Sequence, residues 1–172
     1  MKQNRRSNIV LIGMPGAGKS TVGVILAKHT ARGFVDTDVL IQTSERRPLQ
    51  EILDEHGHMI LREIEERILL SLDLDNHVIA TGGSAAYSEA AMKHLKGDGI
   101  VVFLHVPFAE IRRRVRDFAT RGIARAPDQS FAELFEERYV LYKKYADITI
   151  ACEELNQEQV SDTIRQRLGP DG

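Results

Sequence analysis

The sequence predicts an α/β domain in which a parallel sheet is covered on both faces by helices. Three observations carry that prediction. Short runs rich in β-branched residues recur along the chain, helical periodicity fills the intervals between them, and the first run leads through a glycine-rich turn straight into a helical pattern. At 172 residues the chain is expected to form a single domain, residues 1–172, large enough to bury a substantial core.

Each element follows in order. Residues 8–12, with Ile9-Val10-Leu11-Ile12, form the first strand, and a helix is expected from Lys19 to about Arg32. A shorter strand lies at Phe34-Val35. Pro48 opens a helical stretch that Gly57 is placed to end, and Ile60, Leu61, Ile64 and Ile68 continue at helical spacing. Strands are expected at 77–81, 99–104 and 147–150. Leu134, Val140 and Leu141 mark a late helix with Tyr139, Tyr142 and Tyr145. The least patterned stretch, Ala119 to Ser130, holds Gly122, Pro127 and Asp128. A loop of that length is either a functional lid or a plain surface connection.

Composition narrows the function classes. A formal net charge of −2 gives no reason to expect nucleic acid or an anionic membrane as the main partner. Cys152 is the only cysteine, so neither an internal disulfide nor a cysteine metal cluster can form, which fits a cytoplasmic protein. Met1 to Arg6 is polar, and the apolar run after it is too short for a signal peptide. The histidines are dispersed except His56 and His58, so no zinc site is expected. Cys152 reads as a packing residue.

Gly13 to Ser20 read G-M-P-G-A-G-K-S between the first strand and the first helix. In that setting Gly13, Gly16 and Gly18 can take dihedrals closed to side chains, turning successive N–H groups onto phosphate oxygens. The helix N-terminus adds its dipole. Gly16, Ala17 and Gly18 are therefore expected to cradle a nucleoside triphosphate. Lys19 supplies a mobile positive charge for the β- and γ-phosphates, Ser20 a hydroxyl ligand for Mg2+, and Thr21 a contact nearer the α-phosphate.

The rest of the chain decides which kind of phosphate-loop protein this is. No N-K-x-D guanine-reading segment is present, and the D-x-x-G letters at Asp54 to Gly57 continue a helical pattern instead of following a strand. The apolar runs Val78-Ile79-Ala80 and Ile100 to Val106 end in Thr-Gly-Gly and in Pro, without the acidic residue of a motor ATPase. Acidic groups sit instead at Asp36-Thr37-Asp38, after the second strand. Two such carboxylates can divide the work, one holding metal-bound water and the other taking an acceptor hydroxyl; capping a helix is the ordinary alternative for either.

Five segments in order, G-M-P-G-A-G-K-S-T-V-G, F-V-D-T-D, L-R-E-I-E, V-I-A-T-G-G and E-R-Y-V-L-Y-K-K-Y-A-D, resemble the shikimate kinase family over nearly the whole chain. The resemblance implies a nucleoside monophosphate kinase-like fold, with five parallel strands, a lid at about 119–130 and a small substrate-binding helical region at about 36–62. It implies transfer of the ATP γ-phosphate to the 3-hydroxyl of shikimate in aromatic amino-acid biosynthesis, with Mg2+ and by a monomer. Asp36 then matches the holder of a magnesium-bound water and Asp38 the group that takes the acceptor hydroxyls. Arg62 and Arg138 match the pair that grips the carboxylate, and Gly82 and Gly83 the backbone beside the ring. A small hydroxylated acid calls for this set of guanidinium forks and carboxylates.

Two segments depart from the family pattern. Ser84 follows Gly82-Gly83 where the family has a third glycine. The lid reads Arg121-Gly122-Ile123-Ala124-Arg125-Ala126-Pro127 in place of Arg-Pro-Leu-Leu. Arg125, close before Pro127, is expected to face the transferring phosphate and act in catalysis with Lys19 and Asp38, with Arg121 as the alternative. By analogy Arg116, from the basic run 111–116, is expected to stack on adenine. Ser84 and the lid leave gluconate or homoserine as alternative acceptors. A regulator that binds ATP without transfer is disfavoured by the presence of Asp38 and both arginines.

Overall fold

The computed structural model describes residues 6–170, so all of the polar start except Arg6 lies outside the described residues. Five strands alternate with helices: β1 (Asn8–Ile12), α1 (Lys19–Thr30), β2 (Gly33–Asp36), α2 (Thr37–Glu45), α3 (Leu49–Leu70), β3 (His77–Ala80), α4 (Glu89–Asp98), β4 (Gly99–His105), α5 (Phe108–Arg114), α6 (Phe131–Tyr145), β5 (Ile148–Ala151) and α7 (Gln157–Leu168). The strands make one sheet in the order β2-β3-β1-β4-β5, and each neighbouring pair is parallel. The expected strands lie within about a residue of these limits.

Parallel pairing has a direct consequence for function. All five strands release their chains at the same edge, and the register sets Leu11 beside Ala80 and Ala80 beside Asp36. The glycine turn after β1, the carboxylates after β2 and the Thr81-Gly82-Gly83 turn after β3 are thereby brought together, as expected for ligand sites in open α/β sheets.

The central strands are apolar on both faces because helices cover both. Ile9, Leu11, Val78, Val101 and Phe103 are buried with Leu26, Met92, Ile111, Tyr142 and Ile164. Truncating Leu26, which has no exposed surface, is expected to cost about 2–5 kcal/mol. A second, smaller cluster joins Ile41 of α2, Ile52, Leu61 and Ile64 of α3, and Ala124.

That second cluster spans a kink in α3. Gly57 ends the first helical stretch, as expected: its φ of 82° and ψ of 172° are non-helical, and α3 is two helical segments that meet there in a kink. Ile52 before the kink and Leu61 and Ile64 after it are buried in the same cluster, so packing holds the two segments in one bent element. The D-x-x-G letters close the first of these segments, away from any strand end.

The segment before α6 is packed rather than a plain surface connection. After a single 3-10 turn at Phe118–Thr120, Ile123 and Ala124 are buried, and the Gly122 N–H donates to Gln50 Oε1 of α3 at 2.7 Å. α6 then starts at a Ser130/Glu133 capping box. No helix among the described residues is long and apolar enough to cross a membrane.

Candidate active site

The glycine turn is built as its spacing implies. Gly13, Gly16 and Gly18 have φ of 151°, 83° and 93°, and a Cβ on Gly16 would lie 2.7 Å from Val115 Cγ2. Ala17 is buried beneath the turn, whereas Thr21 is exposed on α1. Lys19 Nζ donates to the carbonyls of Gly13 at 2.7 Å and Met14 at 2.9 Å. Burial lowers the Lys19 pKa to about 8, an effect that neighbouring Asp38 opposes.

Ser20 and Asp36 meet at the mouth of the turn, where Ser20 Oγ donates to Asp36 Oδ2 at 2.5 Å. Asp36 Oδ1 also accepts from the N–H groups of Asp38 at 2.9 Å and Val39 at 3.4 Å, capping α2. The cap thus orients the carboxylate, and its other oxygen faces Ser20.

A cleft of about 80 Å³ lies beside the turn, walled by Lys19, Asp38, Glu65, Gly82, Gly83, Ser84, Arg121 and Arg138, with Ile41, Leu49, Leu61 and Ile123 as its apolar side. A single water needs roughly 10–15 Å³, so a small polar molecule is the right scale of occupant. Asp38 has its pKa raised by burial, against the pull of Lys19. Gly82 and Gly83 are small because charged groups press on them. A Cβ on Gly82 would sit 2.6 Å from Asp38 Oδ1, and one on Gly83 2.5 Å from Arg138 Nη1.

The two arginines expected to act as a pair are placed differently. Arg138 is 1% exposed, lines the cleft, and donates from Nη2 to the Ala124 carbonyl at 2.7 Å, tying α6 to the segment before it. Arg62 faces an adjoining hollow beside Met59, Glu63, Glu66 and Tyr87, which shares Glu65 and Ser84 with the cleft. Its guanidinium carbon lies 3.6 Å from the Tyr87 ring centroid. The Nε atoms of both arginines are buried without a partner among the described residues.

Glu65 is the site residue for which the sequence suggested no role. It is 4% exposed, Oε2 accepts from the Ser84 hydroxyl, and Oε1 has no partner among the described residues. Burial, followed by the nearby Asp38 charge, raises its pKa to about 7. Its spacing from Arg62, i and i+3 on α3, was the available signal.

The two lid-segment arginines are placed differently. Arg121, not Arg125, lines the cleft. Arg125 lies with its guanidinium carbon 4.4 Å from the Phe118 ring centroid and donates from Nη1 to the Gln129 carbonyl at 2.5 Å. The reason is local: Ala126 to Gln129 form a turn closed by the Gln129 N–H on the Ala126 carbonyl at 3.1 Å, and Pro127 at its second position turns the chain back toward Arg125. In the basic run Arg116 is exposed beside Phe108, Phe118 and Phe131. Arg114 is the one that reaches the phosphate loop, from Nη1 to the Gly16 carbonyl at 3.3 Å, anchored by Glu110.

The family profile described as shikimate kinase matches residues 15–169. Similar proteins include a shikimate kinase of Thermosynechococcus vestitus, 35% identical over 94% of this chain and 87% of that one, and one of Rhodopseudomonas palustris, 38% identical over 90% and 77%. Among solved structures, the shikimate kinase of Acinetobacter baumannii in complex with shikimate superposes with a TM-score of 0.85 at 30% identity, covering 94% of this chain and 92% of that one. The shikimate kinase of Aquifex aeolicus gives 0.81 at 33%, covering 94% and 95%.

Proposed function

The chain belongs to the shikimate kinase family, and from that membership we propose that it transfers the γ-phosphate of ATP to the 3-hydroxyl of shikimate. The observation that carries the reading is a single cleft at the sheet edge bounded by the phosphate-loop Lys19, the carboxylate Asp38 and the buried guanidinium of Arg138.

Each group has a defined task in such a transfer. The loop amides and Lys19 hold the β- and γ-phosphates, and Arg138, with Arg62 alongside, binds the acceptor carboxylate. Asp38 takes the acceptor hydroxyl and, with its raised pKa, suits proton uptake as the new P–O bond forms. Arg121 offsets charge on the transferring phosphoryl group, and the lid excludes water. The Ser20 hydroxyl and Asp36 carboxylate form an all-oxygen pair that fits Mg2+. When bound, Mg2+ neutralises phosphate charge. Arg116 is retained as the adenine contact. The cleft is complete within one chain, which supports action as a monomer, and we place the enzyme in the cytoplasm.

The test is ADP release from Mg-ATP without acceptor, then with shikimate, gluconate or homoserine singly. Strong stimulation by shikimate alone is expected. Stimulation only by another acid would move the specificity to that acid, and none by any would count against a kinase of hydroxylated acids.

A further inference from the structure

Tyr87 stands between the two arginines without belonging to either element that carries them. It ends the 3-10 turn Ala85–Tyr87, wedged between α3 and α6. Its ring centroid is 3.6 Å from the Arg62 guanidinium carbon and 5.6 Å from that of Arg138, within cation–π reach of both. Its hydroxyl donates to Glu137 Oε1, the residue preceding Arg138. Glu137 Oε2 in turn accepts from Gln129 Nε2, at the end of the lid, at 3.0 Å. The ring is therefore fixed at its face by cations and at its tip by a carboxylate.

Two guanidinium groups close together repel, and each here has a buried Nε without a partner among the described residues. The electron-rich ring face beside both offsets that repulsion without adding a carboxylate that would compete for them. Resting on the proposed reading of the acceptor, we propose that Tyr87 is a positioning residue whose ring holds Arg62 and Arg138 at the spacing that grips the acceptor carboxylate. It sets affinity for the acid without taking part in phosphoryl transfer.

The test compares Tyr87→Leu, which removes the ring, with Tyr87→Phe, which keeps it. Tyr87→Leu is expected to raise the shikimate KM about tenfold, with kcat and the ATP KM within about twofold of wild type, whereas Tyr87→Phe stays within about threefold throughout. The preference in kcat/KM for shikimate over its methyl ester is expected to shrink in Tyr87→Leu, a readout that general loosening would not move. Equal losses on both acceptors, or an unchanged shikimate KM, would overturn the proposal. In the protein without substrate, the Arg62 Nε–H resonance, assigned by its absence in Arg62→Lys, is expected upfield in wild type and Tyr87→Phe and to lose that shift in Tyr87→Leu. No such shift in wild type would also overturn it. Failure of wild type to use shikimate would instead count against the functional reading, and the comparison then runs on whichever acid stimulates ADP release, against its ester.

Discussion

The Ser84 hydroxyl donates a hydrogen bond to Glu65 Oε2 on the cleft wall, joining the residue that departs from the family's triple glycine to the buried carboxyl of α3. The bond favours the ionised form of Glu65, yet burial and Asp38 outweigh it and leave the pKa at about 7. Folded protein thus holds a proton on Glu65 that the unfolded chain, near 4.5, gives up first. This contribution to stability is present below the unfolded value and lost as pH rises through about 7, a change on the order of 3 kcal/mol. Glu65→Gln cannot ionise, so its melting temperature is expected to gain on wild type as pH rises from about 5 to 7. A difference between the two that stays flat across this range would refute the raised pKa.

Arg121 and Arg125 are predicted to separate in kinetics. Arg121→Ala is expected to lower turnover by about 100-fold, the scale for removing a donor aimed at developing charge. Arg125→Ala, which loses only the contacts to Phe118 and Gln129, should stay within about threefold. The reverse ranking in steady-state assays would restore Arg125 as the phosphate-facing residue.

Asp36 is predicted to keep its cap and lose its metal role when changed to Asn. Asparagine caps helices about as well as aspartate, so the melting temperature of Asp36→Asn should be nearly that of wild type. With the charge gone beside Ser20, the Mg2+ concentration for half-maximal ADP release is expected to rise about tenfold. An unchanged Mg2+ requirement would leave Asp36 with the cap alone.

Asp38→Asn is predicted to abolish transfer while ATP still binds. Asp38 supports the charge on Lys19, so the substitution lowers the Lys19 pKa below about 8. Binding is therefore best measured well below that value, at about pH 6.5, and an ATP Kd within about threefold of wild type is expected. Parallel loss of binding and transfer would remove Asp38 from its place at the acceptor hydroxyl.

The parts that could be read before folding were those whose chemistry is local in sequence. The glycine turn is continuous from Gly13 to Ser20, and its strand-to-helix setting is written on either side of it. Asp36 and Asp38 were visible for the same reason, since two residues at a strand end share one edge. Gly57 was legible as a helix end from its own conformational freedom, whereas the burial of Ile52, Leu61 and Ile64 in one cluster, which holds the two segments of α3 together, was not. That Arg121 and not Arg125 lines the cleft was not legible, because nearness to Pro127 in sequence does not say which way a turn points its side chains.

The sequence by itself determined the phosphate loop, the alternation of strands and helices, and the acidic pair, because backbone dihedrals and side-chain periodicity are set by near neighbours. Only the tertiary structure decided that Arg121 lines the cleft, that Tyr87 lies beside both Arg62 and Arg138, and that Ser84 partners Glu65. Those relationships join residues on different elements, and their geometry follows from how α3, α6 and the lid pack against the sheet edge, where burial and mutual charge set each group's orientation and proton affinity.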